Sequence, residues 1–113
     1  MKGGYTYILT NYRRTVLYVG VTSDLRRRLR EHREQLHPGS FTARYQCFYL
    51  VYFEQVPGIV AAIQREKQLK EWPRQRKLEL IRTVNPHLYF YHPHTLLLSD
   101  TRNPLCSRGV CCR

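Results

Sequence analysis

The chain has 113 residues, 42 % of them hydrophobic, which suits one folded domain able to bury a core without disulfide or metal help. Its 19 Lys plus Arg against 8 Asp plus Glu give a net charge of +11, so the expected partner is a polyanion, most commonly nucleic acid. The longest apolar runs, Leu96-Leu97-Leu98 and Phe48 to Phe53, are far too short to span a bilayer, which excludes a membrane-spanning role.

Lys2-Gly3-Gly4-Tyr5 after Met1 does not open a signal peptide, so a cytoplasmic protein is expected. No long amphipathic helix with a bulky apolar face stands out, which disfavours a membrane-surface role. The basic residues are mainly arginine, whose fork matches phosphate oxygens in a way that lysine cannot.

In chain order, Gly4 to Leu9 alternates tyrosines with smaller residues and reads as a strand. Asn11 to Arg14 is turn-like, and Thr15 to Gly20 is a second strand, making an antiparallel hairpin. Thr22 or Ser23 caps a helix from Asp24 to Glu34. His37 to Ser40 is a loop, and Cys47 to Glu54 is a third strand, apolar on both faces. Pro57 opens a helix to Glu71, which Trp72-Pro73 breaks. A basic helix runs from Pro73 to Thr83 and stops at Asn85-Pro86. The order β-β-α-β-α-α is that of an α+β domain, a small sheet flanked by helices. Residues 1–91 form the domain and residues 92–113, which lack a period, a divergent tail.

The four cysteines are Cys47, Cys106, Cys111 and Cys112, with no Cys-x-x-Cys pair. With His92 and His94 nearby a metal site is conceivable, but reduced thiols on a loose tail are the better reading.

Three constellations could carry chemistry. In the hairpin, Tyr5 and Tyr7 share one face, Tyr18 lies on the second strand and Gly20 lets another molecule approach the backbone. Tyrosines so placed are as readily core residues with a wet hydroxyl. In the first helix, Leu25, Leu29 and His32 share a face and Arg28 edges it, needing either a phosphate or an internal salt bridge. Arg26, Arg27, Arg30 and Arg33 point to solvent. In the next helix, Ile59, Ala62, Ile63 and Leu69 define a buried face with Glu66 at its centre. That carboxylate needs a cation, either Lys70 one turn on or a hard divalent metal.

Tyr5-Thr6-Tyr7 followed by Tyr18-Val19-Gly20 resembles the motif pair of the GIY-YIG nucleases, with only the tyrosine kept in the first half. Arg28, His32 and Glu66 match the family's helix arginine, the His or Tyr one turn later and the metal-binding glutamate, and Asn85 matches its late asparagine. Leu17 to Leu25 and Phe41-Thr42-Ala43-Arg44-Tyr45 are similar to the small standalone bacterial members, related to the catalytic domain of the bacterial excision-repair nuclease.

The resemblance spans residues 3–88 and implies a three-stranded antiparallel sheet flanked by helices. It implies an endonuclease that hydrolyses DNA phosphodiesters with Mg²⁺ or Mn²⁺, in repair or recombination. A non-catalytic nucleic-acid-binding module of the same fold is the rival. Tyr7 would be the general base, and Tyr18 and Arg28 would orient and neutralise the phosphate. His32 would assist proton transfer or hold a phosphate oxygen, and Glu66 would hold the metal. Arg26, Arg27, Arg30, Arg33, Arg44 and Asn85 would contact nucleic acid. A protein partner could supply the sequence specificity that larger members carry in a second domain.

Overall fold

The computed structural model describes residues 3–34, 39–93 and 95–97. Three antiparallel strands, β1 (Gly4–Thr10), β2 (Leu17–Thr22) and β3 (Tyr49–Val56), lie in the order β2-β1-β3. Among the described residues four helices accompany them: α1 (Leu25–Arg33), α2 (Phe41–Tyr45), α3 (Ile59–Glu71) and α4 (Arg74–Arg82). The α+β architecture expected from the sequence is the one observed.

The central strand is buried on both faces, and its alternation divides the core in two. Tyr7 and Leu9 project to one side, where they pack with Leu25 and Leu29 of α1 and with Cys47. Burial pushes the Cys47 thiol up to about 11, so it remains a neutral packing group at pH 7. Ile8 projects to the other side, against Leu69 of α3 and Ile81 of α4. The register sets Tyr7 opposite Gly20 and Leu9 opposite Tyr18, so all four share the α1 face.

Local chemistry moves several boundaries. Strand β2 runs on to Thr22, because its pairing with β1 continues to Tyr5. The helix cap is Asp24, whose carboxylate accepts from the Arg27 amide at 3.2 Å, while Thr22 Oγ1 accepts from the Asp24 amide. Helix α2 has no counterpart among the elements expected from the sequence. Ser40 caps it and Gln46 ends it in the left-handed region, at φ 56°. A five-residue helix is too short to show an apolar period.

The buried face expected of α3 is half right. Ala62 and Leu69 are fully buried, but Ile59 and Ile63 are 42 % and 37 % exposed. The helix rests on its small-residue side because β1 comes very close there. A Cβ on Gly4 would lie 2.7 Å from the Ala62 Cβ, and Thr6 Oγ1 donates to the Ala62 carbonyl at 2.8 Å.

An ion pair clamps α3 to β3. Arg65 grips Glu54 through two nitrogens, both at 2.9 Å, and the Tyr52 hydroxyl donates to the same carboxylate at 2.5 Å. Burial alone would raise the Glu54 carboxyl, but Arg65 and Tyr52 outweigh it and hold it below its ordinary 4.5. A depressed carboxylate stabilises the fold above its unfolded pKa and loses that contribution as pH falls through the folded one. Unfolding midpoints should therefore drop below about pH 4.5. Arg65→Ala should be weaker at pH 7 and lose less on further acidification, which thermal melts at both pH values would check.

Asn85 belongs to the fold. It is 1 % exposed, and its amide donates to the carbonyls of Val51 and Tyr89 while its oxygen accepts from the Tyr89 amide. With three bonds spent on backbone it has nothing left for a phosphate, which corrects its expected place in the nucleic-acid interface. Removing it strands buried backbone groups, so Asn85→Ala should cost about 2–4 kcal/mol in urea denaturation.

Packing continues past the expected boundary at residue 92. Leu96 lies against the core cluster of α1, and its amide donates to the His92 carbonyl at 2.8 Å. The short run Leu96-Leu97-Leu98 follows prolines and histidines and has no helical or strand period to reveal which leucine packs. His94, Cys106, Cys111 and Cys112 lie outside the described residues.

Candidate active site

Four of the expected residues meet at one place, on the sheet face covered by α1. Tyr7 enters from β1, Tyr18 from β2, and Arg28 and His32 from successive turns of α1. Tyr7 is 1 % exposed, and its hydroxyl lies 3.0 Å from His32 Nε2. The other ring nitrogen, Nδ1, lies 2.9 Å from Thr42 Oγ1, which is itself 3.2 Å from Ser40 Oγ. The rings of Tyr7 and Tyr18 are tilted to one another, and Tyr18 stands edge-on to His32, 5.8 Å away. Four polar side chains thus form one continuous chain, Ser40–Thr42–His32–Tyr7. With Nδ1 protonated, His32 donates to Thr42 and accepts the Tyr7 proton.

Arg28 stands beside the Tyr7 hydroxyl. It also donates to Glu31 at 2.9 Å, so the internal salt bridge weighed from the sequence is present. Its side chain is nevertheless 30 % exposed, which leaves part of the guanidinium open to an anion. Burial pushes the Tyr7 phenol well above its ordinary value of 10.0, and the Arg28 charge only partly opposes this. Arg27 and Arg28 hold the Glu31 carboxyl low, with the Arg28 hydrogen bond the largest cause.

A cleft of about 120 Å³ opens at this cluster, bounded by Tyr18, Arg28, Glu31, His32, Phe41 and Thr42. Tyr7 does not line it: it sits behind the wall, and the phenol facing the opening is Tyr18. Sequence reasoning missed Thr42 and Ser40. The one local signal is Ser40, a residue type favoured at helix N-caps, whose Oγ here accepts from the Ala43 amide.

Gly20 makes the arrangement possible. A Cβ there would lie 2.5 Å from both Cζ and the hydroxyl oxygen of Tyr7 and 2.9 Å from the Tyr18 ring. The glycine is needed for two rings to pass each other, and backbone approach by a ligand need not be invoked.

Glu66 lies on α3, whose buried Leu69 packs with Ile8 on the other side of the sheet, and Lys70 Nζ contacts its carboxylate at 2.7 Å. Among the described residues no hydrogen bond joins it to Tyr7, Tyr18, Arg28 or His32, and no cluster of three His, Cys, Asp or Glu side chains stands ready for a metal. Arg26, Arg27, Arg30, Arg33 and Arg44 are exposed as expected. Arg27 pairs with Glu31 at 3.2 Å, and Arg33 lies within 5.8 Å of the Phe48 and Tyr49 ring centres.

A family model described as the GIY-YIG catalytic domain matches residues 3–79. The chain belongs to the GIY-YIG family. That match takes in Tyr7, Tyr18, Arg28, His32 and Glu66, the residues that carry the resemblance, and makes the chain a member of a family of DNA nucleases. A UPF0213 protein of Syntrophus aciditrophicus is 34 % identical over 82 residues, covering 73 % of this chain and 93 % of that protein. A UPF0213 protein of Haloquadratum walsbyi is 36 % identical over 64 residues, covering 57 % of this chain and 71 % of that one. The solution NMR structure of a UPF0213 protein from Bacillus halodurans matches with a TM-score of 0.47 at 26 % identity, over 74 % of this chain and 86 % of its own. Among the described residues no helix of this GIY-YIG domain is long and apolar enough to cross a membrane.

Proposed function

We propose that the chain is an endonuclease hydrolysing DNA phosphodiesters with Mg²⁺ or Mn²⁺, in DNA repair or recombination. One observation carries the reading: a buried chain of hydroxyls and imidazole ends beside a partly exposed arginine, at an open cleft of a strongly basic GIY-YIG domain. Arg28 and the Tyr18 hydroxyl meet the phosphate at the cleft and balance its developing charge. Tyr7 passes its hydroxyl proton to His32 Nε2 as its oxygen, beside Arg28, takes the proton of the attacking water; Thr42 fixes the imidazole and Arg28 favours the phenolate. The assistance expected of His32 is thus a proton site shared with Tyr7.

Glu66 is the residue that would hold the metal. One carboxylate suits Mg²⁺, which keeps several waters and takes its remaining ligands from substrate phosphate. When bound, the ion supplies Lewis-acid stabilisation of the leaving oxygen. The Glu66–Lys70 ion pair favours the rival reading, a binding module without turnover, because it satisfies the carboxylate internally.

Incubating the purified chain with end-labelled single-stranded, nicked and branched DNA separates the two. Cleavage with Mg²⁺ or Mn²⁺ that stops with EDTA supports the enzyme, and binding without cleavage under all conditions supports the module. Either way, Arg26, Arg27, Arg30, Arg33, Arg74, Arg76 and Lys77 should make affinity fall steeply with salt. About six neutralised phosphates predict roughly a 10³-fold loss between 50 and 200 mM. A flat response in fluorescence anisotropy would remove the electrostatic reading.

A further inference from the structure

The cleft does not end at Tyr18. The Tyr18 ring stacks on Phe41, with centroids 5.8 Å apart and planes at 25°, and Phe41 in turn touches Tyr45 at 4.7 Å. Phe41 is 46 % exposed and Tyr45 44 %. Beyond them Tyr45 and Arg44 of α2 face Tyr12 and Arg13 of the β1–β2 turn across an open recess of about 430 Å³. Tyr12 is itself 40 % exposed. A row of rings therefore leads from the catalytic cleft to the far end of α2, flanked by two arginines. Among the described residues no ion pair engages Arg13 or Arg44.

Large rings left half in water beside a catalytic opening forgo burial that a core would have given them. Their chemistry selects the occupant. In a duplex each base is stacked on its neighbours and offers side chains only its edge in a groove. An unpaired base has a free face that a tyrosine or phenylalanine can cover, whatever the sequence. Arginines beside the rings suit the phosphates between such bases. Carboxylates are absent from the recess lining, which disfavours a basic protein partner.

We propose that α2 and the β1–β2 turn form a stacking platform for unpaired bases of the strand being cut, so that the preferred substrate has a single-stranded segment next to the scissile phosphate. The inference deepens the nuclease reading and rests on it for the identity of the polymer. Helix α2 then has two duties: Thr42 on its buried side holds His32, while Phe41 and Tyr45 on its open side hold the substrate.

The test separates binding from cutting. Fluorescence anisotropy in EDTA compares a labelled single-stranded oligonucleotide with its own duplex at one salt concentration. The single strand should bind about tenfold tighter or more. Tyr45→Ala should weaken single-strand binding about tenfold, leave duplex binding unchanged, and be rescued by Tyr45→Trp. A 2-aminopurine placed in the oligonucleotide should be quenched by the native chain and less by Tyr45→Ala. Equal affinity for both DNAs, or a Tyr45→Ala loss shared by both, overturns the platform. So does a dimer in light scattering that Tyr45→Ala dissolves without any single-strand preference, because the rings would then face a second copy. Selective single-strand binding without cleavage under any metal leaves the platform standing and removes the nuclease reading. Metal-dependent cutting of duplex with no single-strand preference does the reverse.

Discussion

Glu66→Gln should abolish DNA cleavage while DNA binding persists. The amide keeps the size of the carboxylate and removes the charge that a hard cation needs. Binding should hold or tighten, since one negative charge near phosphate is gone. The ion pair with Lys70 sets the rival outcome. If that pair is all Glu66 does, cleavage stays as it was and stability changes by about 0.5 kcal/mol or less. That result would make Glu66 structural and withdraw its metal role. Arg28→Ala gives the contrasting pattern: weaker binding and a rate at least about 10²-fold lower, because it removes a phosphate contact and a charge partner of the transition state together. Tyr7→Phe isolates the proton. It keeps the buried ring and deletes the hydroxyl 3.0 Å from His32 Nε2. Binding should be unchanged and cleavage should fall about 10²-fold or more. Melting curves for each variant must accompany the rates, since Tyr7 is a core residue as well.

The second large effect is expected at Gly20. Replacing it with alanine puts a methyl carbon 2.5 Å from the Tyr7 ring and hydroxyl. A far side-chain end can usually swing aside, but this one is 1 % exposed and hydrogen-bonded to His32. Moving it disturbs the core beneath α1 and breaks the polar chain. Gly20→Ala should therefore cost about 2–3 kcal/mol of stability and carry most of the activity away with it. The pair Gly20→Ala with Tyr7→Phe checks the cause. If the clash includes the hydroxyl, the double variant regains part of the lost stability and none of the lost cleavage. An alanine tolerated with full stability and rate would show that Tyr7 has room the contact distances deny it.

Charge is local to the sequence. The net +11 and the exposed arginines of α1 needed no tertiary information. Strand alternation in β1 and the 3.6-residue period of α1 set Tyr7, Leu25, Leu29 and His32 on buried faces, because periodicity records which side meets the core. The motif tyrosines, the helix arginine and the glutamate at their spacings were enough to mark the family. Tertiary structure decided what each of these residues touches. Arg28 has both a salt bridge and an opening, two alternatives the sequence could not rank, since its partner Glu31 and the cleft meet at the same place. Tyr7 and Tyr18 look equivalent as letters, but packing puts one behind the wall and the other at the opening. Asn85 passed for a surface residue because an amide's partners here are backbone groups 34 residues away and 4 residues on, which no local pattern encodes. Helix α2 and its Thr42 escaped for the opposite reason. A single turn carries no period, and its place beside His32 is fixed only when the chain folds back across α1.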